Sequence, residues 1–149
     1  MDAAKVKKDG KARGEKYNFG KINRVVEREM RKKDIPLKST NVVMRDDTIL
    51  KYEDHPKAAK GAVLPPNKYY LLDKLVRKPT HIYVDTTKGK PMFVYTTRYS
   101  SGKVIKAIIE VNYKANKMTY NSLKSVGIVD KDKMNSTLSN GKRQYKKIK

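Results

Sequence analysis

The chain has no cysteine, no tryptophan and only two histidines in 149 residues. Without cysteine there is neither a disulfide framework nor a thiolate metal site, a composition compatible with a reducing compartment without demonstrating one. Two histidines are too few for a His-rich metal site, and no cofactor is expected. No apolar run approaches the ~20 residues of a membrane span, and MDAAKVKKDG has no apolar stretch behind its charges. A soluble, cytoplasmic chain is the expectation. No segment sets Lys and Arg against a deep apolar face bearing Trp or Phe, so a membrane surface is a minor alternative. Phosphate-cradling G-x-x-x-x-G-K-[ST] and G-x-G-x-x-G runs are absent, as is a nucleophile elbow, which leaves nucleotide hydrolysis and acyl transfer without support.

Acidic residues are scarce too: 15 Asp and Glu stand against 36 Lys and Arg, for a net charge of +21 and a pI near 10.0. A field of that size attracts polyanions. Residues 1–16 carry six basic and three acidic side chains, and residues 131–149 carry seven and one. The +12 left for residues 17–130 means that the central part is basic in its own right. The length suits one domain. The division expected is a flexible basic arm over 1–16, a single α+β domain over 17–130 and a basic tail over 131–149, the last an electrostatic tether for phosphates.

Within the domain, Ile22, Val25, Val26 and Met30 recur at helical spacing and predict a first helix that ends at Asp34 to Pro36. STNVVMRDD offers a short extended piece, and Asp46 or Asp47 can cap a brief helix leading to His55 and Pro56. Asn67 is positioned to cap a helix with Leu71, Leu72, Leu75 and Val76 on its buried stripe, stopped by Pro79. From there the period changes to two. HIYVD, PMFVYTTR, KVIKAIIEVNY and KMTYNSLKSVG are separated by short turn-forming linkers and predict four strands joined as antiparallel hairpins. The fold expected is α+β: N-terminal helices packed on one face of a four-stranded antiparallel meander sheet. In GKVIKAIIEVNY, alternation puts Ile105, Ala107, Ile109, Val111 and Tyr113 on the covered face. Lys106 and Glu110 fall on the open one.

The order of DTILKYEDHP, a helix ending in LVRKP, HIYVD, GKVIKAIIEVN and a last strand with NSLKSVG resembles the phage and prophage nuclease domains grouped as barnase-EndoU-colicin-RelE-like, the BECR fold. The likeness runs from Asp47 to Gly127; the loop KAAKGAVLPPNKYY is longer than the family pattern. The resemblance implies a metal-independent endoribonuclease of the toxin or effector type, with RNA as partner, tRNA among the candidates, and an antitoxin or immunity protein. A phage-associated origin is implied as well.

Such chemistry needs a base near the ribose 2′-hydroxyl, a cation for the phosphorane oxygens and an acid for the leaving 5′-oxygen. His55 exchanges a proton near neutrality. Lys106 neutralises phosphate charge, Glu110 acts as base or holds Lys106, and Ser125 contacts phosphate. Lys51, Arg98, Lys103, Tyr120, Asn121 and Lys124 are the candidate nucleic-acid contacts. The plainer readings stand beside these. His55 can simply end a helix, Lys106 and Glu110 can be a surface ion pair worth under ~1 kcal/mol, and His81 reads as a strand-edge residue. The tyrosines can be packing rather than stacking platforms. A catalytically silent nucleic-acid-binding protein of a phage or mobile element is the alternative function.

Overall fold

A computed structural model describes residues 15–50, 64, 68–85, 91–115, 117–139 and 145–149. The elements, in chain order, are β1 (Lys16–Lys21), α1 (Arg24–Lys32), β2 (Asn41–Arg45), α2 (Asp46–Leu50), α3 (Tyr70–Arg77), β3 (His81–Asp85), β4 (Met92–Ser100), β5 (Lys103–Ala115), β6 (Met118–Asp130), α4 (Lys131–Ser139) and β7 (Tyr145–Lys147).

The expectation of helices on a four-stranded meander is overturned. There is one seven-stranded sheet in the order β1-β2-β6-β5-β4-β3-β7, and it is mixed, because β2 runs parallel to β6 while the other neighbours are antiparallel. The period-two segments do form consecutive hairpins from β3 to β6. The meander is extended on both sides by strands too short to announce themselves: β1 and β2 beyond β6, and the three residues of β7 beyond β3. The parallel β2–β6 contact, Val42 beside Asn121 and Val43 beside Ser122, joins segments far apart in sequence. No local turn chemistry encodes that pairing.

Local chemistry accounts for the helices. The Asn23 side chain accepts from the Val25 N–H at 2.9 Å and starts α1. Val26 and Met30 then face inward. Leu72, Leu75 and Val76 do the same for α3, and Pro79 follows its end. These residues form one cluster with Ile82, Phe93, Tyr95, Ile105, Ala107, Ile109, Leu123 and Ile128 from one face of the sheet, all of them nearly or fully buried. The proposed cap Asn67 lies outside the described residues.

One register break redirects the sheet surface. Asn112 has φ 57°, a left-handed conformation that Asn tolerates better than most side chains, and the β5–β6 ladder shifts between Glu110 and Tyr113. Alternation therefore fails at Tyr113: it does not continue the buried row of Val111 but meets Lys124 and Ser122 on the open face. A second bulge, where Ile108 pairs Ser125 and Ile109 pairs Leu123, leaves Lys124 and Ser125 together on that same face.

Candidate nucleic-acid interface

The sheet register aligns open-face side chains in rows across the strands. One row runs His81 (β3), Thr96 (β4), Lys106 (β5), Gly127 (β6). His81 and Lys106 are thus two strand spacings apart, about 10 Å between backbones, with Thr96 between them. Neither side chain touches the other by this count, but both reach a group held over Thr96. Ser125 stands diagonal to Lys106, one pleat along β6.

At the end of this row, around the β4–β5 hairpin, lies a cleft of about 320 Å³. Its lining includes Arg98, Lys103, Lys131, His81 and the hydroxyl-bearing residues Thr80, Thr96, Thr97, Ser100 and Ser101, of which Thr80 and Thr97 bond each other at 3.3 Å, with no carboxylate among the described lining residues. Three cations beside hydroxyl-bearing residues suit an anion, with Asp130 opposite Lys103 in the β5–β6 register at the edge of the cleft. Lys106 stands beside Thr96, next to the cleft rather than in its lining. The His81 ring is oriented: its Nδ1 is 3.3 Å from the main-chain oxygen of Lys149. That oxygen only accepts, so the bond puts the proton on Nδ1 and leaves Nε2 as the ring's acceptor. The rings of His81 and Tyr83 lie 6.2 Å apart and tilted.

A second cluster sits at the opposite end of β5. Arg45, Asp47, Thr48, Tyr113, Ser122 and Lys124 line a cleft of about 240 Å³. Lys124 Nζ lies 3.1 Å from the centre of the Tyr113 ring, a close cation–π contact. Tyr120 meets Tyr113 edge to face at 5.7 Å, and Lys16 Nζ lies 5.3 Å from the Tyr120 ring centre. Burial raises the Tyr120 hydroxyl pKa, and the Arg45 guanidinium opposes that rise. Arg45 Nε and the Tyr120 hydroxyl are both buried, and the guanidinium lies against the hydroxyl. Arg45 also pairs with Asp47 at 3.4 Å.

The residues expected to form one site therefore divide. Arg98, Lys103 and Lys106 gather around the His81–Thr96 row, with Ser125 at its margin. Tyr120 and Lys124 belong to the other cluster. Glu110 lies apart in the register: four residues along an extended strand is about 13 Å of backbone from Lys106, and its row neighbours are Met92 and Ser122. Asn121 is corrected as well, being fully buried on the core side of β6. His55 and Lys51 lie outside the described residues. His81, Arg45 and Tyr113 were not among the expected site residues. The signal for His81 was present, because counting back through the β3–β4 hairpin sets it on the Lys106 face. Arg45 had no such signal, since its position depends on the parallel β2–β6 contact.

The largest of the described clefts, about 530 Å³ near the start of α1, is lined by Lys21, Arg24, Arg28 and Arg77 with Gly20, Ile22, Asn23 and Val25. It offers cations but no side chain that exchanges protons near neutrality. Among the described residues no group of three or more His, Cys, Asp or Glu side chains is arranged to hold a metal ion, and no helix is long and apolar enough to cross a membrane. Comparison with protein-family models, with curated proteins and with solved structures gave no match.

Proposed function

We propose that the protein binds RNA on the open face of its sheet and cleaves it by proton transfer at the His81–Thr96–Lys106 row. The observation that carries this reading is the cleft beside that row, lined by three cations, five hydroxyl-bearing residues and an oriented imidazole, without a carboxylate among its described lining residues. The overall charge of +21 supports a polyanionic ligand. The order of motifs that resembles phage and prophage nucleases supports an RNA backbone as that ligand.

In this mechanism the scissile phosphate lies over Thr96, with Arg98 and Lys106 against its non-bridging oxygens. His81 Nε2 takes the proton of the ribose 2′-hydroxyl, and the 2′-oxygen forms a bond to phosphorus. The bond from phosphorus to the 5′-oxygen breaks, and that oxygen takes a proton from the Lys106 ammonium. The products are a 2′,3′-cyclic phosphate and a 5′-hydroxyl. DNA lacks the nucleophile and binds without reacting. An antitoxin or immunity protein, a cytoplasmic site of action and a phage origin belong to the same proposal and rest on the resemblance alone. A second reading, binding without cleavage, is favoured by the distance of Glu110 from Lys106, which leaves that row without a carboxylate base.

The test is incubation of the full chain with total tRNA and with a single-stranded RNA in excess EDTA, comparing wild type, His81→Ala, Lys106→Ala and His55→Ala. Cleavage to cyclic phosphate ends that survives chelation and falls at least a hundredfold in the first two variants supports the reading. Cleavage that depends on His55 and not on His81 moves the centre elsewhere. Intact RNA throughout, with salt-sensitive binding, selects the silent binding protein.

A further inference from the structure

We infer that the Arg45–Tyr113–Lys124 cleft is a separate nucleotide-binding subsite that makes single-stranded RNA, rather than a duplex or a short fragment, the preferred ligand. The inference rests on the reading of the open face as RNA-binding, but not on cleavage. Tyr113 lies seven residues along β5 from Lys106, about 20 Å in extended chain. Both ends of one strand thus carry cations and hydroxyls on the same face.

The chemistry of the two ends differs. The His81 cleft holds cations and hydroxyls and suits phosphate. The Tyr113 cleft adds paired aromatic rings and one carboxylate, which suits a whole nucleotide. A base stacks on Tyr113 in the place that the Lys124 ammonium holds in the free protein, its phosphate meets the displaced Lys124 and Arg45, and Ser122 and Thr48 supply hydroxyls. Asp47, held by Arg45, is an acceptor for an exocyclic amine. Tyr120 packs edge to face on Tyr113, and its hydroxyl lies against the Arg45 guanidinium, which ties the ring pair to the cations of the cleft. The bulges at Asn112 and at Lys124–Ser125 are what turn Tyr113 and Lys124 toward this cleft.

A strand lying along β5 and β6 from one cleft to the other is continuous and unpaired, since stacking on Tyr113 needs a base free of its complement. A comparable sheet face of an OB-fold takes on the order of 4–16 nucleotides. A trimer fills one cleft, a dodecamer both.

The test is fluorescence anisotropy with 5′-labelled single-stranded RNA of three and twelve nucleotides and with a twelve-base-pair RNA duplex. All carry 2′-O-methyl groups so that none is cut. Wild type is compared with Lys124→Ala, Lys124→Arg, Tyr113→Leu and Tyr113→Phe, each checked for an unchanged thermal midpoint. Lys124→Ala and Tyr113→Leu are expected to weaken the single-stranded dodecamer about tenfold, with Lys124→Arg and Tyr113→Phe close to wild type. Lys124→Ala also lowers the salt slope by about one. The duplex changes less than twofold, and the trimer binds wild type at least tenfold more weakly than the dodecamer does. Equal binding of the dodecamer by wild type and all variants overturns the subsite while leaving the RNA-binding face intact. Absence of RNA binding by wild type overturns both. Dodecamer binding that depends on Lys124, with unmodified RNA left uncut, keeps the subsite and removes the cleavage mechanism.

Discussion

The side-chain nitrogen of Asn121 donates to the main-chain oxygen of Ser39 at 2.7 Å, joining β6 to the chain just before β2 across 82 residues of sequence. Its oxygen accepts from the Asn112 N–H at 3.2 Å. Asn121 is fully buried, and both bonds are partly shielded from water. They stitch the parallel β2–β6 contact, which pairs through only two residues on each strand in register.

Asn121→Ala leaves the Ser39 oxygen and the Asn112 N–H without partners. An unsatisfied buried polar group costs about 1–3 kcal/mol, and the expected loss for the pair is roughly 3 kcal/mol. Urea unfolding should show a lower midpoint at unchanged slope. RNA affinity of the folded variant should stay within twofold of wild type. A variant as stable as wild type with weaker RNA binding would return Asn121 to the interface.

Asn112 separates backbone from side-chain effects. Its oxygen accepts from the Lys38 N–H at 2.9 Å and its nitrogen donates to the Pro36 oxygen at 2.9 Å, while its own φ is 57°. Asn112→Gly keeps the left-handed backbone and loses the two side-chain bonds. Asn112→Ala loses those bonds and meets the steric penalty of the conformation, about 1–2 kcal/mol. Thermal unfolding should rank wild type above Gly and Gly above Ala. Equal stability of the Gly and Ala variants would show that the bulge carries no strain for an ordinary side chain.

What could be read in advance depends on the range of the interactions. The β3–β6 hairpins were legible because apolar alternation and short linkers are local signals. So was the buried row Ile105, Ala107, Ile109 and Val111. The same alternation misassigned Tyr113, because a bulge at Asn112 shifts the register by one residue and moves the side chains beyond it to the other face. Strands β1, β2 and β7 are defined by partners distant in sequence rather than by their own periodicity. At the candidate site, Lys106 was legible as an open-face cation and Arg98 as a candidate nucleic-acid contact. Their company was not: His81 joins them through hairpin register, and Arg45 joins Lys124 through the parallel contact.

Lys106 and Glu110 share a strand face without sharing an interaction. About 13 Å of extended chain separates their backbones. A double-mutant cycle on stability, using Lys106→Met and Glu110→Gln, should return a coupling below about 0.5 kcal/mol. Glu110→Gln alone should leave RNA binding and any cleavage rate within twofold. A coupling above ~1 kcal/mol would instead establish an ion pair between them.

Tyr95 gives the fold an alkaline limit. Its ring is fully buried, its hydroxyl accepts from the Asn23 N–H at 3.2 Å, and burial pushes its pKa well above the usual 10.0. Below pH 10 the group is protonated in the folded and unfolded chains alike and contributes no pH dependence. Above it the unfolded chain releases the proton while the folded chain holds it, so stability falls as pH rises, by at most about 1.4 kcal/mol per pH unit. Lysine neutralisation in the same range relieves repulsion in so basic a chain, which acts in the opposite direction. The informative quantity is therefore the difference between wild type and Tyr95→Phe, measured by urea unfolding from pH 8 to 11.5. At pH 8 the Phe variant should be less stable by about 1 kcal/mol for the lost bond to Asn23, and the gap should close and then reverse as pH rises past 10. A gap that stays constant across the range would mean that Tyr95 ionises as readily in the fold as outside it.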